Sequence, residues 1–301
     1  MEQFLAELQT IDAGSVKYNE PMAAYTTWKI GGPADVLIIP HTQDQLAAAV
    51  RLLHRHGLKW TNLGRGSNML VSDKGIRGVV IQPGEAFDYA RFDGTLAYAG
   101  AACSFVKLSV LAGKEGLTGL EFAGGIPGSV GGAVYMNAGA LGSDVSRIFK
   151  SADIVLETGE LVRFGAEDMA FSYRHSCLHE RPGIVTGAVF QLEEGDRKAI
   201  AEAMAAYKQR RLLTQPLQLP SAGSVFRNPP NDYAARLIQE AGLKGLRQGG
   251  AEVSTQHANF IVNTGQATAE DVLTLMTTIR STIREKYGIE LIAEVLVVGE
   301  R

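Results

Sequence analysis

A glycine-rich stretch, EFAGGIPGSVGGAVYMNAGALG, covers residues 121–142 and limits the fold of this chain more than any other feature. It contains seven glycines, and apolar residues rather than Ser, Gln or charged residues fill most of the gaps between them. Apolar spacing ties such a segment to a core, unlike a Gly/Ser linker, and the glycines let backbone N–H groups approach a ligand closely. The stretch therefore predicts a rigid ligand-binding loop, and its alternative is tight helix packing through small residues.

A second glycine-rich motif, GRGSN at residues 64–68, follows a predicted strand at 59–63. It either presents backbone N–H groups to a phosphate or forms only a turn. A Rossmann fingerprint would need a third glycine where Met69 stands, and no GxxxxGK[ST] motif of a P-loop occurs. Two separate glycine-rich elements favour a ligand with two phosphates and a large planar group.

The bulk properties exclude several classes of protein. A net charge of −3 and a pI near 6.1 leave no basic field for a nucleic acid or an acidic membrane surface. No run of 18 apolar residues predicts a membrane span, and the acidic N-terminus MEQFLAELQTID does not resemble a secretory signal. Cys103 and Cys177 form no CxxC motif. We therefore expect a cytoplasmic protein without membrane or nucleic-acid partners.

The periodicity of apolar residues predicts a mixed α and β chain of about two domains. Thr42 and Gln45 form a capping-box pattern ahead of a helix within residues 40–57. Further helices are predicted at 104–115, 193–213, 232–241 and 268–287. Strands are predicted at 34–39, 59–63, 68–71, 78–82, 183–192, 258–263 and 291–298, and a hairpin at 153–164. The change in composition places a domain boundary near residue 197.

Six segments, in order, resemble the UDP-N-acetylenolpyruvoylglucosamine reductase family and together span nearly the whole chain. They are TTWKIGGPAD (26–35), LGRGSNML (63–70), GLEFAGGIPGSVGGAVYMNAGA (119–140), FSYRHS (171–176), SAGSVFRNP (221–229) and AEVLVVGE (293–300). The resemblance implies an α+β fold, with an FAD-binding PCMH-type domain like that of vanillyl-alcohol oxidase followed by an α/β substrate-binding domain. The implied division is an N-terminal segment 1–20, an FAD domain 21–196 with two subdomains split near 65–75, and a substrate domain 197–301.

The resemblance also implies the reaction. FAD would be the bound cofactor and NADPH the hydride donor, and UDP-N-acetylglucosamine enolpyruvate would be reduced to UDP-N-acetylmuramate for peptidoglycan precursor synthesis. Two alternatives stay open: another FAD-dependent oxidoreductase of this fold with a different acceptor, and a non-catalytic nucleotide-binding paralogue. Loss of a catalytic residue would favour the paralogue, and none is lost. We expect a monomer or a weak homo-oligomer.

Three residues carry the predicted chemistry. A lone arginine such as Arg174 would by default form a surface ion pair. Its match to the family motif implies instead that it stabilises the negative charge that develops on the substrate carboxylate, a group that guanidinium binds bidentately. Ser224 has no G-x-S-x-G elbow and no neighbouring His, which argues against a hydrolytic nucleophile, and the resemblance makes it the proton donor. Glu294, in a predicted strand where alternation would favour solvent, is implied to position the enol or act as an acid.

The resemblance carries over binding residues as well. The implied substrate contacts are Tyr173, Arg174, Arg227 and Asn228, and Asn228 precedes a predicted helix whose N-terminus would favour a diphosphate. The implied FAD contacts are Gly64, Arg65, Gly66, Ser67, Asn68, Gly124, Gly125, Ile126, Gly128, Ser129, Gly131, Gly132, Asn137 and Ala138.

Two positions depart from the pattern of some family members. Thr214 replaces a lysine, and Leu296 replaces an arginine, so the substrate phosphates would rely on other cations. Candidates for that role are Arg210, Arg211 and Arg227. The chain is also too short for the extra tyrosine-bearing loop of one family branch, which places it in the shorter branch.

Several other residues favour structural roles. HSCLH at residues 175–179 lacks a fourth ligand, so no metal site is predicted. His257 is expected to be a structural hydrogen-bonding residue, and Trp28 is expected to lie in the core, with a place near the flavin as the alternative.

Overall fold

Most of the predicted helices and strands are present in the computed structural model, which describes residues 1–300. The helices are α1 (Glu2–Leu8), α2 (Gln43–Arg55), α3 (Phe105–Glu115), α4 (Val130–Tyr135), α5 (Ala166–Met169), α6 (Arg197–Thr214), α7 (Ala234–Glu240) and α8 (Ala269–Tyr287). None of those helices is long and apolar enough to cross a membrane. Arg301, the last residue of the predicted substrate domain, lies outside the described residues.

The strands are two to nine residues long. They are β1 (Ser15–Pro21), β2 (Pro33–Ile39), β3 (Trp60–Asn62), β4 (Met69–Val71), β5 (Ile76–Ile81), β6 (Ala90–Asp93), β7 (Leu96–Gly100), β8 (Leu117–Thr118), β9 (Gly139–Ala140), β10 (Ser143–Asp144), β11 (Phe149–Leu156), β12 (Leu161–Gly165), β13 (Gly183–Gln191), β14 (Glu193–Glu194), β15 (Arg247–Gln248), β16 (Ala251–Val253), β17 (Ile261–Asn263) and β18 (Leu296–Val298).

The chain divides into two units that alternate along the sequence. Unit 1 contains Met1–Tyr18, Val36–Arg65 and Gly78–Gln209, and unit 2 contains Asn19–Asp35, Gly66–Arg77 and Arg210–Arg301. Short N-terminal segments therefore belong with the C-terminal third of the chain. This division follows spatial proximity rather than sequence order, and the predicted domain bounds at 20 and 197 stay predictions.

Two larger sheets lie mostly in unit 1, and β1, β2 and β5 of the first extend past its bounds. One has the strand order β1-β2-β5-β3, and the other is antiparallel with the order β12-β11-β13-β7-β6. The predicted hairpin at 153–164 is confirmed as β11–β12, and Gly159 in its turn has a φ of +81°. The predicted capping of α2 is also confirmed, because Thr42 Oγ1 accepts from Gln45 N at 3.1 Å. In a complete capping box the Gln45 side chain would accept from Thr42 N, but here it accepts from His41 N.

Unit 2 has its own core around the long helix α8. Thr268 caps that helix, since its Oγ1 accepts from Asp271 N at 3.1 Å while Asp271 Oδ2 accepts from Thr268 N at 3.0 Å. The helix covers the sheet β15-β16-β17, and β4 pairs in parallel with β18. Trp28 is 0% exposed in this core, and its Nε1 donates to Ile261 O at 2.8 Å. The prediction of a core position for Trp28 is confirmed.

Several predicted elements differ in their bounds. The predicted strand at 291–298 is wrong over its first half, because pairing with β4 begins only at Leu296. The helix predicted at 193–213 begins at Arg197, since Glu193 and Glu194 pair with β8, and Ile200 is its one buried residue. The helix predicted at 232–241 begins at Ala234, and the strand predicted at 258–263 begins at Ile261. Local patterning indicates each element, but partners distant in sequence determine where it ends.

Gly75→Ala is expected to destabilise the protein more than Gly288→Ala. Both glycines lie in unit 2 with positive φ, +84° and +67°, so both substitutions carry a similar conformational cost of about 1–2 kcal/mol. An added Cβ at Gly75 would lie 1.9 Å from Pro33 O, whereas one at Gly288 would have no described atom within 4 Å outside the adjacent residues. Thermal unfolding should show a lower melting temperature for Gly75→Ala, and equal losses would contradict the steric account.

Candidate active site

Gly64, the first residue of GRGSN, lies beside the second glycine-rich stretch in unit 1. A Cβ placed on Gly64 would lie 2.6 Å from Ser129 Oγ, so only a glycine allows this approach. Ser129 is in turn the N-cap of α4, where its Oγ accepts from Gly132 N at 3.3 Å. Gly64 thus contacts the second stretch at the residue that caps α4.

The second stretch is held against the core by backbone hydrogen bonds. Gly128 O accepts from Phe105 N at 3.1 Å, and Val130 N donates to Cys103 O at 2.8 Å. Gly128 has a φ of +134°, a conformation that side chains rarely adopt. Gly131 supports the packing alternative in part, because a Cβ there would lie 3.0 Å from Ala101 Cβ. The stretch is a pinned loop rather than a linker, as predicted.

Asn137 anchors the end of this loop with both ends of its carboxamide. It is 3% exposed, with Nδ2 donating to Ser172 O at 2.9 Å and Oδ1 accepting from Ser146 N at 2.9 Å. Its predicted contact with FAD stays a prediction, but its observed role is to fix the backbone next to Tyr173 and Arg174.

Arg174 lies in a tight turn of unit 1. Ser172 and His175 exchange two backbone hydrogen bonds of 3.1 Å, which places Tyr173 and Arg174 at the tip. Arg174 has a φ of +57°, uncommon for a residue with a side chain and typical of functional turns. Its Nη2 donates to Gly139 O at 2.8 Å, and its Cζ lies 5.0 Å from the exposed Tyr173 ring. The hydrogen bond to Gly139, within the second glycine-rich stretch, therefore helps to orient the guanidinium.

A ring stack follows the turn. Tyr135 stacks on His179 at 4.3 Å between centroids, and His179 stacks on His175 at 4.8 Å. His175 Nε2 bonds to Glu180 Oε1 at 2.7 Å, and this hydrogen bond lowers the pKa of the Glu180 carboxyl. Within residues 1–300 no group of three or more His, Cys, Asp or Glu side chains is arranged to hold a metal.

Ser224 and Glu294 lie on neighbouring backbone segments of unit 2. Glu294 N donates to Val225 O at 2.8 Å, and Arg227 N donates to Ile292 O at 2.9 Å, so the segments pair around Phe226 and Ala293. Asn68 extends this arrangement, since its Nδ2 donates to Glu294 O at 3.1 Å and its carbonyl accepts from Leu296 N at 3.0 Å. The structure therefore links the backbones that carry these two predicted catalytic residues.

The candidate phosphate-binding side chains have unequal surroundings in unit 2. Arg211 is partly buried, and this burial lowers the pKa of its guanidinium, while its Nε donates to Gln215 Oε1 at 2.9 Å. Arg210 is exposed, and Thr214 Oγ1 donates to its carbonyl at 2.8 Å. Asn228 Oδ1 accepts from Ala234 N at 3.1 Å and so occupies the start of α7. The diphosphate expected at that helix N-terminus therefore loses one of its donors.

Sequence reasoning missed two residues that hold the site. Ser176 Oγ donates to Tyr135 O at 2.6 Å and is 0% exposed, and Asn259 binds the backbone of Phe226 through both ends of its carboxamide. The one available signal was a polar residue in an apolar context, such as Asn259 inside the predicted strand ANFIVN. The structure confirms His257 as a structural residue, since its Nδ1 accepts from Asn259 N.

The residues of unit 1 fit FAD, the implied cofactor. The second glycine-rich stretch consists largely of small residues, hydrogen bonds hold it in place, and Gly64 lies beside it.

Gly64→Ala is expected to weaken FAD retention by on the order of tenfold, since its Cβ would displace Ser129. The flavin-to-protein absorbance ratio after purification measures this.

A control variant separates a local clash from general damage. Gly165→Ala should retain FAD, because the nearest atom to its Cβ outside the adjacent residues is Asp168 Oδ2, 3.6 Å away. Loss of FAD from Gly165→Ala as well would contradict the account of a local clash at Gly64.

Comparison with known proteins divides the chain between two family models. The FAD binding domain model matches residues 34–165. The model of the UDP-N-acetylenolpyruvoylglucosamine reductase C-terminal domain matches residues 215–298. Together they confirm the predicted fold class, an α+β chain with an FAD-binding domain followed by a second domain.

Relatives match along the full length. A UDP-N-acetylenolpyruvoylglucosamine reductase of Bacillus licheniformis is 51% identical over 302 residues and covers 100% of both chains. One of Bacillus subtilis is 49% identical over 300 residues and covers 99% of both. The crystal structure of the reductase (MurB) from Thermus caldophilus has a TM-score of 0.81 at 36% identity, covering 94% of this chain and 98% of that one. The chain belongs to the UDP-N-acetylenolpyruvoylglucosamine reductase family.

Proposed function

We propose that this protein uses NADPH and bound FAD to reduce UDP-N-acetylglucosamine enolpyruvate to UDP-N-acetylmuramate. The observation that carries this proposal is the 51% identity over the whole length of a relative named for this reductase activity. The retention of Arg174, Ser224 and Glu294 in their motifs supports it. The product would serve peptidoglycan precursor synthesis.

The reaction adds a hydride and a proton across the enolpyruvyl double bond. FAD, when bound, supplies the two-electron chemistry, with NADPH as the source of the hydride and NADP⁺ as the oxidised product. Addition of hydride to the terminal vinyl carbon places the electron pair on the adjacent carbon and its carboxylate. A proton delivered to that adjacent carbon completes the lactyl ether. The chain must therefore stabilise an enolate-like charge and supply one proton.

Arg174 is assigned to the developing negative charge. A guanidinium group can bind a carboxylate in a bidentate geometry. The turn at Ser172–His175 and the hydrogen bond to Gly139 O restrict its motion before substrate binds. Such preorganisation spares the reorganisation that a flexible surface arginine would need.

Ser224 is assigned as the proton donor. Its side chain is partly buried, and residues 1–300 provide no hydrogen-bond partner for its hydroxyl, so Oγ can face substrate. A serine hydroxyl is a weak acid, but an enolate carbon is a strong enough base to take its proton. Solvent then returns a proton to the serine oxygen, which restores the hydroxyl for the next turnover.

Glu294 is assigned to orient the enol end of the substrate or to act as an acid. Its backbone is held between Val225 O and Asn68 Nδ2, so its position depends on the segment that carries Ser224. Tyr173, Arg227 and Asn228 are kept as proposed substrate contacts, and the glycine-rich residues as proposed FAD contacts. The cytoplasmic location, the monomeric or weakly oligomeric state and the lack of nucleic-acid or membrane partners stay predictions.

The first test separates the two half-reactions without oxygen. NADPH should bleach the flavin absorbance of the purified protein, and UDP-N-acetylglucosamine enolpyruvate should restore it rapidly. Stopped-flow absorbance measures both steps. A flavin that bleaches but stays bleached after the sugar nucleotide is added would favour an oxidoreductase with a different acceptor, and absence of flavin would favour the non-catalytic paralogue.

Ser224→Ala is expected to keep the NADPH step and to slow the second step by on the order of 10²- to 10⁴-fold, the usual contribution of a general acid. Ser221→Ala, three residues earlier on the same loop, is the matched control and should behave as the wild type. Rapid-mixing reoxidation rates at saturating substrate measure the difference. Normal reoxidation in Ser224→Ala would remove this hydroxyl from the mechanism.

A further inference from the structure

The segment that carries Ser224 is an irregular strand held along both edges. On one edge Val225 O accepts from Glu294 N at 2.8 Å, and Arg227 N donates to Ile292 O at 2.9 Å. The N–H and C=O of Phe226 point to the other edge, as alternation along an extended segment requires. No β-strand lies along that second edge, and Phe226 is only 1% exposed, so water cannot satisfy these groups.

Asn259 takes the place of the missing strand. Its Oδ1 accepts from Phe226 N at 3.0 Å, and its Nδ2 donates to Phe226 O at 2.8 Å. Its own backbone carbonyl accepts from Val225 N at 2.8 Å. One side chain, 4% exposed, thus satisfies both polar groups of a buried peptide residue in the geometry of a β-ladder.

Asn259 is itself fixed by the turn between β16 and β17. His257 Nδ1 accepts from Asn259 N at 3.3 Å, which requires a neutral imidazole with its proton on the other nitrogen. Burial lowers the pKa of His257 and so favours that neutral form. The His257 ring also packs edge-to-face on Phe260 at 4.7 Å. The carboxamide is therefore presented from a rigid support.

We propose that Asn259 is a positioning residue for proton delivery, whose carboxamide sets the Ser224 segment in register with the Glu294 segment. The assignment rests on the proposed function, because it gains meaning only if Ser224 donates the proton. Asn259 acts through Phe226 and touches neither substrate nor cofactor in this account. Its loss should affect the step that consumes a proton and leave the NADPH step unchanged.

The test variant is Asn259→Asp, which keeps the shape and the acceptor for Phe226 N but replaces the donor to Phe226 O with a repelling oxygen. NADPH should bleach its flavin at the wild-type rate. Reoxidation at saturating substrate should slow by on the order of tenfold to a hundredfold, the scale of a small misplacement of a reacting group. The half-saturating substrate concentration should change little, and the solvent deuterium isotope effect on reoxidation should rise.

Asn263→Asp is the matched control. Asn263 is another buried asparagine of unit 2, 7% exposed, whose Nδ2 donates to Trp28 O at 3.0 Å and whose Oδ1 accepts from Gly265 N at 2.9 Å. Its substitution places the same charge in the same core without touching Phe226. It should lower the melting temperature while reoxidation and its isotope effect stay as in the wild type.

Three outcomes decide the proposal. Normal reoxidation in a folded, flavin-containing Asn259→Asp variant overturns the positioning role of Asn259. Equal slowing of reoxidation in Asn259→Asp and Asn263→Asp overturns it as well, because the effect would then come from a general loss of stability. A wild-type flavin that substrate does not reoxidise overturns the proposed function, and this role with it.

Amide hydrogen exchange of the wild type covers the case in which Asn259→Asp does not fold. The Phe226 amide should exchange far more slowly than that of Gly223, for which residues 1–300 provide no acceptor. Equal exchange rates overturn the proposal.

Discussion

Backbone N–H and C=O groups that no regular helix or strand pairs need other hydrogen-bond partners, and this constraint governs how the candidate catalytic residues are held, because all three lie outside regular secondary structure. An asparagine carboxamide meets the need in each case. Asn137 binds the carbonyl of Ser172 beside Arg174, Asn259 binds Phe226 beside Ser224, and Asn68 binds the carbonyl of Glu294 itself. A carboxamide carries a donor and an acceptor like a peptide group, so it extends hydrogen bonding where no strand is available.

The glycine-rich loops obey a second constraint, the distance of closest approach. Gly64 and Ser129 lie so near each other that a single added carbon would meet the hydroxyl at 2.6 Å. The same hydroxyl caps α4, and the loop behind it is bonded to the segment before α3. Close approach and rigid support are the conditions under which backbone amides bind phosphate well, and a flexible linker of equal glycine content would lack both.

Prediction from sequence succeeded where the signal was local. The cap of α2, the helices α3 and α8 and the hairpin of β11 and β12 follow from residues within a few positions of each other. It was wrong at residues 291–295, where an apolar run looked like strand. The chain there pairs with Phe226 through a single bridge, and regular pairing with β4 starts later. An apolar pattern in the sequence does not indicate which other segment a strand will pair with.

The sequence by itself determined the family, the fold class and the identities of the candidate catalytic residues, because six motifs in the family's order contain those residues. It did not indicate that Trp28 and Leu70 share a core with the C-terminal third, nor that Asn259 serves Phe226 across 33 positions. Those relations depend on which distant segments fold against one another. Only the tertiary structure decides them, since a hydrogen bond between remote residues leaves no periodicity in the chain.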